Sequence, residues 1–157
     1  MNTLGNTKVL PLLSPVDTTS TATEAFSTPI DTGEFVEGEI DLYCGTITDD
    51  TVVVKLYKDA NTTTSGGTAV GFLYKLTAAT GSDSDGAWTA CASTGVTLAV
   101  TDDDKILRIN VDPALFSGYP YAYIGMDPGA SISAFEHAVW ANLVLRYSQS
   151  VPPSVID

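Results

Sequence analysis

Basic residues are scarce in this sequence of 157 residues. Lys and Arg together number 7 against 19 Asp and Glu, which gives a net charge of −12 at pH 7 with the histidine neutral, and the pI is near 4.1. Proteins that bind DNA, RNA or anionic membranes present clustered Lys and Arg side chains. The charge balance therefore argues against nucleic acid and against a membrane surface as the main partner.

Long hydrophobic runs are also lacking. The longest uncharged apolar stretch, residues 138–145, is far shorter than the roughly 20 residues that span a bilayer. The apolar run Val9–Leu13 near the N-terminus is short and is interrupted by Pro11, whereas a secretory signal needs about 7–15 continuous apolar residues after a basic start. We therefore expect a protein that is made in a cytosol-like compartment and has no membrane partner.

The sequence has only two cysteines and one histidine, the residue types that most commonly bind metals. Cys44 and Cys91 have no further Cys or His at a ligand spacing, so buried free thiols are the favoured interpretation, with one disulfide as the alternative. In a strand, His137 points away from its neighbour Glu136, so the two do not form a catalytic dyad. Because no catalytic or cofactor motif is present either, we expect no enzyme activity, no cofactor and no metal.

Acidic turns are the remaining candidates for a metal site or a hydrolytic centre. Asp83 and Asp85 lie in one turn, and residues 102–104 are all Asp. Both turns offer oxygen atoms to a calcium ion, but neither has the spacing of an EF-hand. Solvated turns between strands are the favoured interpretation, and a glycosidase-like pair of carboxylates distant in sequence remains an alternative.

The sequence is rich in threonine and in short runs that alternate between apolar and polar residues. From about residue 23, period-two segments are separated by turn signals, as in half-buried antiparallel strands. The predicted inward sets are Ile40/Leu42/Cys44, Val52/Val54/Leu56, Leu107/Ile109/Val111 and Ala122/Ile124/Met126. About eight or nine such strands predict an all-β fold, an antiparallel β-sandwich of the jelly-roll type.

Two segments carry helix signals. Asp112 and Pro113 fit the N-cap and first position of a single helical turn. Ser133 and Glu136 fit a capping box that would open a helix through Tyr147. The same segment alternates as a strand, with Val139, Ala141, Leu143 and Leu145 inward. Its β-branched and aromatic content favours the strand.

The two ends of the chain carry the candidate contact residues. Pro11 and Pro15 exclude a regular central strand, so residues 1–20 are expected to form an extended N-terminal arm. A β-sandwich domain at 21–150 and a C-terminal tail at 151–157 follow. The predicted contact residues are Lys8, Val9, Leu10, Leu12, Leu13, Val151, Pro152 and Pro153. The arm has two equally supported places to pack, its own sandwich or a neighbouring subunit.

Several segments resemble small structural proteins of tailed bacteriophages that decorate or cement the head. The segments are 5–8, 26–33, 37–45, 52–57, 112–121 and the closing stretch 138–147, with Pro152 just beyond. The resemblance extends over most of residues 5–153 as an order of strands and turns. It implies a jelly-roll protein that binds the major capsid protein on the outside of the capsid after assembly in the host cytoplasm. It also implies a homo-oligomer, for which a trimer is the first expectation.

An interaction module of another class is the alternative. A carbohydrate- or receptor-binding module of a phage fiber or spike would use exposed aromatic side chains as stacking platforms. The candidates are Tyr43, Tyr57, Tyr121 and Tyr123, which occupy outward positions of their predicted strands.

Overall fold

The computed structural model describes residues 7–18, 24–64, 66–77, 85–129, 132 and 134–146. The described residues contain twelve β-strands and no α-helix. The strands are β1 (Thr7–Thr18), β2 (Ala25–Phe26), β3 (Ile30–Asp31), β4 (Phe35–Thr48), β5 (Val52–Asp59), β6 (Thr68–Val70), β7 (Phe72–Leu76), β8 (Thr89–Cys91), β9 (Val96–Leu98), β10 (Lys105–Val111), β11 (Tyr121–Pro128) and β12 (Ala134–Leu145). The predicted all-β class is confirmed.

Two antiparallel sheets form the predicted sandwich. Sheet A has the order β1-β12-β4-β10-β7-β8, and sheet B has the order β2-β11-β5-β6, with β3 also pairing with β11 and β9 with β5. The pairing is nested, because β1 pairs with β12, β2 with β11, β4 with β10, and β5 with β6 and β9. The chain is therefore a long antiparallel ribbon wrapped into two sheets, which is the topology of a jelly roll.

The strand count exceeds the predicted eight or nine because short pieces form both edges of sheet B and an additional pair of strands extends sheet A. β2 and β3 are two-residue pieces that pair with different parts of β11, and β6 and β9 are three-residue pieces that pair with different parts of β5. The hairpin β7–β8 lies between β6 and β9 in the chain and extends sheet A beyond β10. Pieces this short carry too little alternation to be recognised in a sequence.

The core lies between the two sheets and consists of the predicted inward residues. All twelve residues of the four inward sets are fully buried, as are Val139, Ala141 and Leu143 of β12. The segment that carried a capping-box signal is therefore a strand, and its inward face is the predicted one. The helical turn also forms as predicted, since the Asp112 carboxylate accepts a hydrogen bond from Ala114 N at 2.9 Å and a 3₁₀ turn spans Pro113–Phe116.

Both cysteines are free thiols. Cys44 is fully buried in β4, and Cys91 is half-buried in β8 at the edge of sheet A. Burial raises the pKa of the Cys44 thiol to about 12, and burial also raises the pKa of Cys91. Among the described residues there is no helix long and apolar enough to cross a membrane.

The packing of sheet A leads to a first prediction. Leu107→Ala in β10 removes a fully buried side chain and should lower the free energy of unfolding by about 2–5 kcal/mol. Leu73→Ala in β7 is the matched control, because this leucine is 46% exposed and should cost less than about 1 kcal/mol. Urea unfolding followed by tryptophan fluorescence measures both, and equal losses would contradict the described core.

Thiol reactivity gives a second prediction. In the native protein at pH 8, a thiol reagent should label Cys91 well before Cys44, because the thiolate form and access of the reagent both limit the rate. Cys44 should react at the rate of global unfolding. Time-resolved labelling with peptide mass mapping measures the two rates separately, and comparable native-state rates would contradict the burial of Cys44.

Candidate interaction surface

The described part of the predicted contact arm is a paired strand, β1, at one edge of sheet A. Lys8 lies opposite Leu143 of β12, and Leu10 lies opposite Ala141. Leu12 is buried, and Leu10 and Leu13 pack partly against the core. Val9 points the other way and is 64% exposed. The arm thus covers its own sandwich with its leucines and presents Val9 to the outside.

The other predicted contact residues, Val151, Pro152 and Pro153, lie outside the described residues. The contact of either chain end with a capsid or with a second subunit stays a prediction.

The outer edge of β1 is poorly suited to accept a further strand along most of its length. Pro11 and Pro15 lack the N–H that a ladder needs, and the β1–β12 register shifts between Pro11 and Leu13 and again between Leu13 and Val16. Prolines and bulges of this kind protect sheet edges from unwanted pairing. Two runs of β1 keep a regular register without proline, Val16–Thr18 and the longer Thr7–Leu10.

A groove of about 460 Å³ lies on the outer face of sheet A beside this regular part of β1. Four strands contribute to it, namely β1, β12, β4 and β10. On the outer face its walls include Val9, Glu37, Glu39, Asn110, Asn142 and Val144, and we call this the corner groove. In the sheet register Val144 lies opposite Glu37, and Asn142 lies between Val9 and Glu39.

A buried ionic cluster lies in the next row of the same outer face. The Asp41 side chain is only 2% exposed, although the residue occupies an outward position of β4. Asn142 Nδ2 donates a hydrogen bond to Asp41 Oδ2 at 2.8 Å, and Arg108 Nε lies 3.2 Å from Asp41 Oδ1 as an ion pair without hydrogen-bond geometry. Trp140 lies opposite Asp41 on β12.

Burial determines the acidity of Asp41. Loss of water around the carboxylate raises its pKa above the ordinary value, while Arg108, Asn142 and Trp140 act in the opposite direction and only partly compensate. The sequence showed Asp41 and Arg108 only as two outward polar residues on separate strands. Their pairing requires knowing that β4 and β10, far apart in the chain, are neighbours with Arg108 opposite Asp41.

His137 is buried at the other end of the β12–β4 pair. Its Nδ1 lies 3.0 Å from Phe135 O, its ring stacks on Phe135, and Nε2 is buried without a hydrogen-bond partner in the structure. Burial lowers the pKa of this histidine, which favours the neutral ring. Glu136 is exposed on the opposite face, as the strand geometry predicts.

The acidic turn at 102–104 uses its carboxylates to hold the chain in place. Asp103 Oδ1 accepts a hydrogen bond from Ile47 N at 2.8 Å, Asp102 accepts one from Ala99 N, and Asp104 accepts one from the Tyr43 hydroxyl at 3.1 Å. Asp83 lies outside the described residues. Within the described ranges, no three His, Cys, Asp or Glu side chains are placed to hold a metal ion together.

The four tyrosines proposed as stacking platforms do not form one exposed surface. Tyr123 was predicted to be exposed, and this is wrong: it is 1% exposed, because the Tyr57 and Phe26 rings pack on it and Gly67 N donates to its hydroxyl at 3.1 Å. Tyr57 donates a hydrogen bond to Glu24 Oε1 at 2.9 Å, and burial and this carboxylate raise the pKa of its hydroxyl. Tyr121 is half-buried.

Of the four, Tyr43 is the most exposed, at 37%. The covering of Tyr123 was not visible in the sequence because Phe26 comes from a two-residue strand nearly a hundred residues away in the chain. Gly125 also contributes, since a side chain there would clash with the Tyr57 and Phe26 rings.

Comparison with known proteins identifies no family for this chain. No family model and no curated protein matches this sequence. Among solved structures, it is similar to a chain of the T13 viral particle of IBDV, at 12% identity and a TM-score of 0.26, over 89% of this chain and 40% of that one. It is also similar to a chain of the infectious bursal disease virus Gt strain, at 9% identity and a TM-score of 0.25, over 94% of this chain and 47% of that one.

The present chain therefore spans less than half the length of these solved chains. Similarity at these TM-scores supports no functional argument. The functional argument therefore depends on the surface residues of sheet A described above.

The ionic cluster generates a third prediction. Arg108→Ala removes the cation beside a buried carboxylate and should lower the free energy of unfolding at pH 7 by about 1–3 kcal/mol. The pKa of Asp41 is already raised in the folded state, and losing Arg108 raises it further. The folded state then binds the proton of Asp41 more tightly than the unfolded chain does. The loss in the free energy of unfolding caused by Arg108→Ala should therefore shrink as the pH falls towards the ordinary pKa range of Asp.

Urea unfolding at pH 7 and pH 4.5 measures this difference. Lys55→Ala is the control, because Lys55 Nζ and Asp127 Oδ2 form a more exposed pair at 3.8 Å that should contribute less than about 1 kcal/mol. If Arg108→Ala lowers the free energy of unfolding by the same amount at both pH values, then Arg108 does not act by stabilising the buried charge of Asp41.

Proposed function

We propose that this protein is a structural virion component that binds the outer surface of a tailed-phage capsid and cements or decorates neighbouring capsid subunits. The observation that carries the proposal is the outward corner of sheet A, where an exposed Val9 on an edge strand adjoins an open groove. The resemblance of residues 5–153 to head decoration proteins supplies the context. The role is one of binding, without catalysis or a cofactor.

The arrangement suits adhesion to a large surface. β1 is held by its pairing with β12 and by its leucines, so Val9 and the corner groove are presented on a rigid sheet. A preorganised contact loses less conformational entropy on binding than a free arm does. This favours a contact made by the strand face rather than by an arm that detaches from its own domain.

The charge of the chain is compatible with the proposed location. A net charge of −12 favours solubility and keeps the protein away from the genome, and it permits docking to a basic patch of the major capsid protein. We propose a homo-oligomer, with a trimer as the first arrangement to test, assembled on the capsid exterior in the host cytoplasm.

The decisive experiment examines the source particle. Mass spectrometry and cryo-electron microscopy of purified virions should find this chain on the outer surface of the head, at positions that bridge capsid subunits. Absence of the chain from the particle, or its presence only in the tail, would overturn the proposal.

A variant of the exposed valine is the fourth prediction. Val9→Arg should weaken binding of the purified protein to undecorated capsids by at least about tenfold, because it places a bulky cation where an apolar contact with a basic surface is proposed. Val100→Arg is the matched control, since Val100 is 51% exposed in a 3₁₀ turn outside sheet A and the charge change is the same.

Co-sedimentation with capsids measures both affinities. Equal binding by Val9→Arg and Val100→Arg would remove the β1 corner from the interface. Deletion of residues 1–20 is a poor substitute, because it strips a whole strand from β12 and uncovers core contacts of Leu12.

A further inference from the structure

The charged side chains that face outward in the corner groove are both acidic. Glu37 and Glu39 are alternate residues of β4 on the outer face, and Gly38 between them faces inward against Leu143. Lys8 also borders the groove, but it lies opposite the inward-facing Leu143, so its side chain starts on the opposite face of β1 from Val9. Arg108, the cation in the next row of the sheet, is already paired with Asp41.

The remaining walls supply the other features of a peptide site. Val9 and Val144 form an apolar side, and the amide side chains of Asn110 and Asn142 can both donate and accept hydrogen bonds. Asn142 is held in position by its hydrogen bond to Asp41 Oδ2. The groove thus offers two carboxylates, two amides and an apolar wall on a rigid sheet. This combination matches an extended peptide in which basic and apolar side chains alternate.

We propose that the corner groove binds an extended, basic peptide segment of the surface protein that this chain coats. This inference rests on the proposed function and specifies the chemistry of the partner. Charge complementarity selects the occupant, because Lys or Arg side chains pair with Glu37 and Glu39. A second copy of the chain, with its own net charge of −12, meets the groove with like charge, and a nucleic acid does so even more strongly.

The test uses the full chain and a short capped peptide of alternating Lys and Val as the probe. Titration followed by amide chemical shifts should perturb Val9, Glu39 and Val144 before other residues. Binding should weaken as salt is raised, since exposed charges are screened. The same peptide with Glu in place of Lys should not bind.

A double substitution and its matched control sharpen the result. Glu37→Gln with Glu39→Gln should weaken peptide binding by about fivefold or more, as expected for the loss of two exposed ion pairs. Glu34→Gln with Glu136→Gln removes the same charge from exposed positions outside the groove lining and should leave binding unchanged. Equal weakening by both pairs would reduce the effect to net charge and overturn the inference.

The inference and the proposed function fail in different ways. If the particle carries this chain but the Glu37/Glu39 variant coats capsids as well as the native protein does, the groove is not the contact and the decoration role stands. If the probe binds at the groove but no particle carries the chain, the peptide site stands and the decoration role falls.

Discussion

The structure depends on the register of one strand, β4, between β12 and β10. This strand pairs with β12 over almost its whole length and with β10 over seven residues, so its alternation is imposed on both neighbouring strands at once. A slip of one residue would turn Ile40, Leu42 and Cys44 out of the core. It would also separate Asp41 from Arg108. The hydrophobic core and the ionic cluster therefore specify the same register from opposite faces of the sheet.

The sandwich and its core were predictable because their signal is local. Alternation within β4, β5, β10 and β11 identifies the inward residues without knowledge of which strands are neighbours. The strand at Ala134–Leu145 was also decided locally, by its β-branched and aromatic residues. The short pieces of sheet B were missed for the converse reason. β2 and β3 are defined only by what they pair with, and two residues carry no periodicity.

The candidate site was predictable only in part. The apolar run at Val9–Leu13 indicated a contact segment, but which of its residues face the core and which face outward depends on the bulges that β1 makes against β12. The burial of Asp41 and Tyr123 depends on side chains that reach them from distant parts of the chain. An outward position in a strand therefore predicts the direction of a side chain but not its exposure, and this distinction removes Tyr123 from the set of surface aromatics.

The nested pairing has a consequence for how the molecule is made. Sheet A is completed by β12, the most C-terminal of the described strands, which inserts between β1, the most N-terminal of them, and β4. Until those residues leave the ribosome, the leucines of β1 and the inner face of β4 have no strand to join them. Sheet A therefore forms only after β12 has been made, through contacts of large sequence separation that make folding slow. A premature stop within β12 leaves β1 and β4 without their common partner.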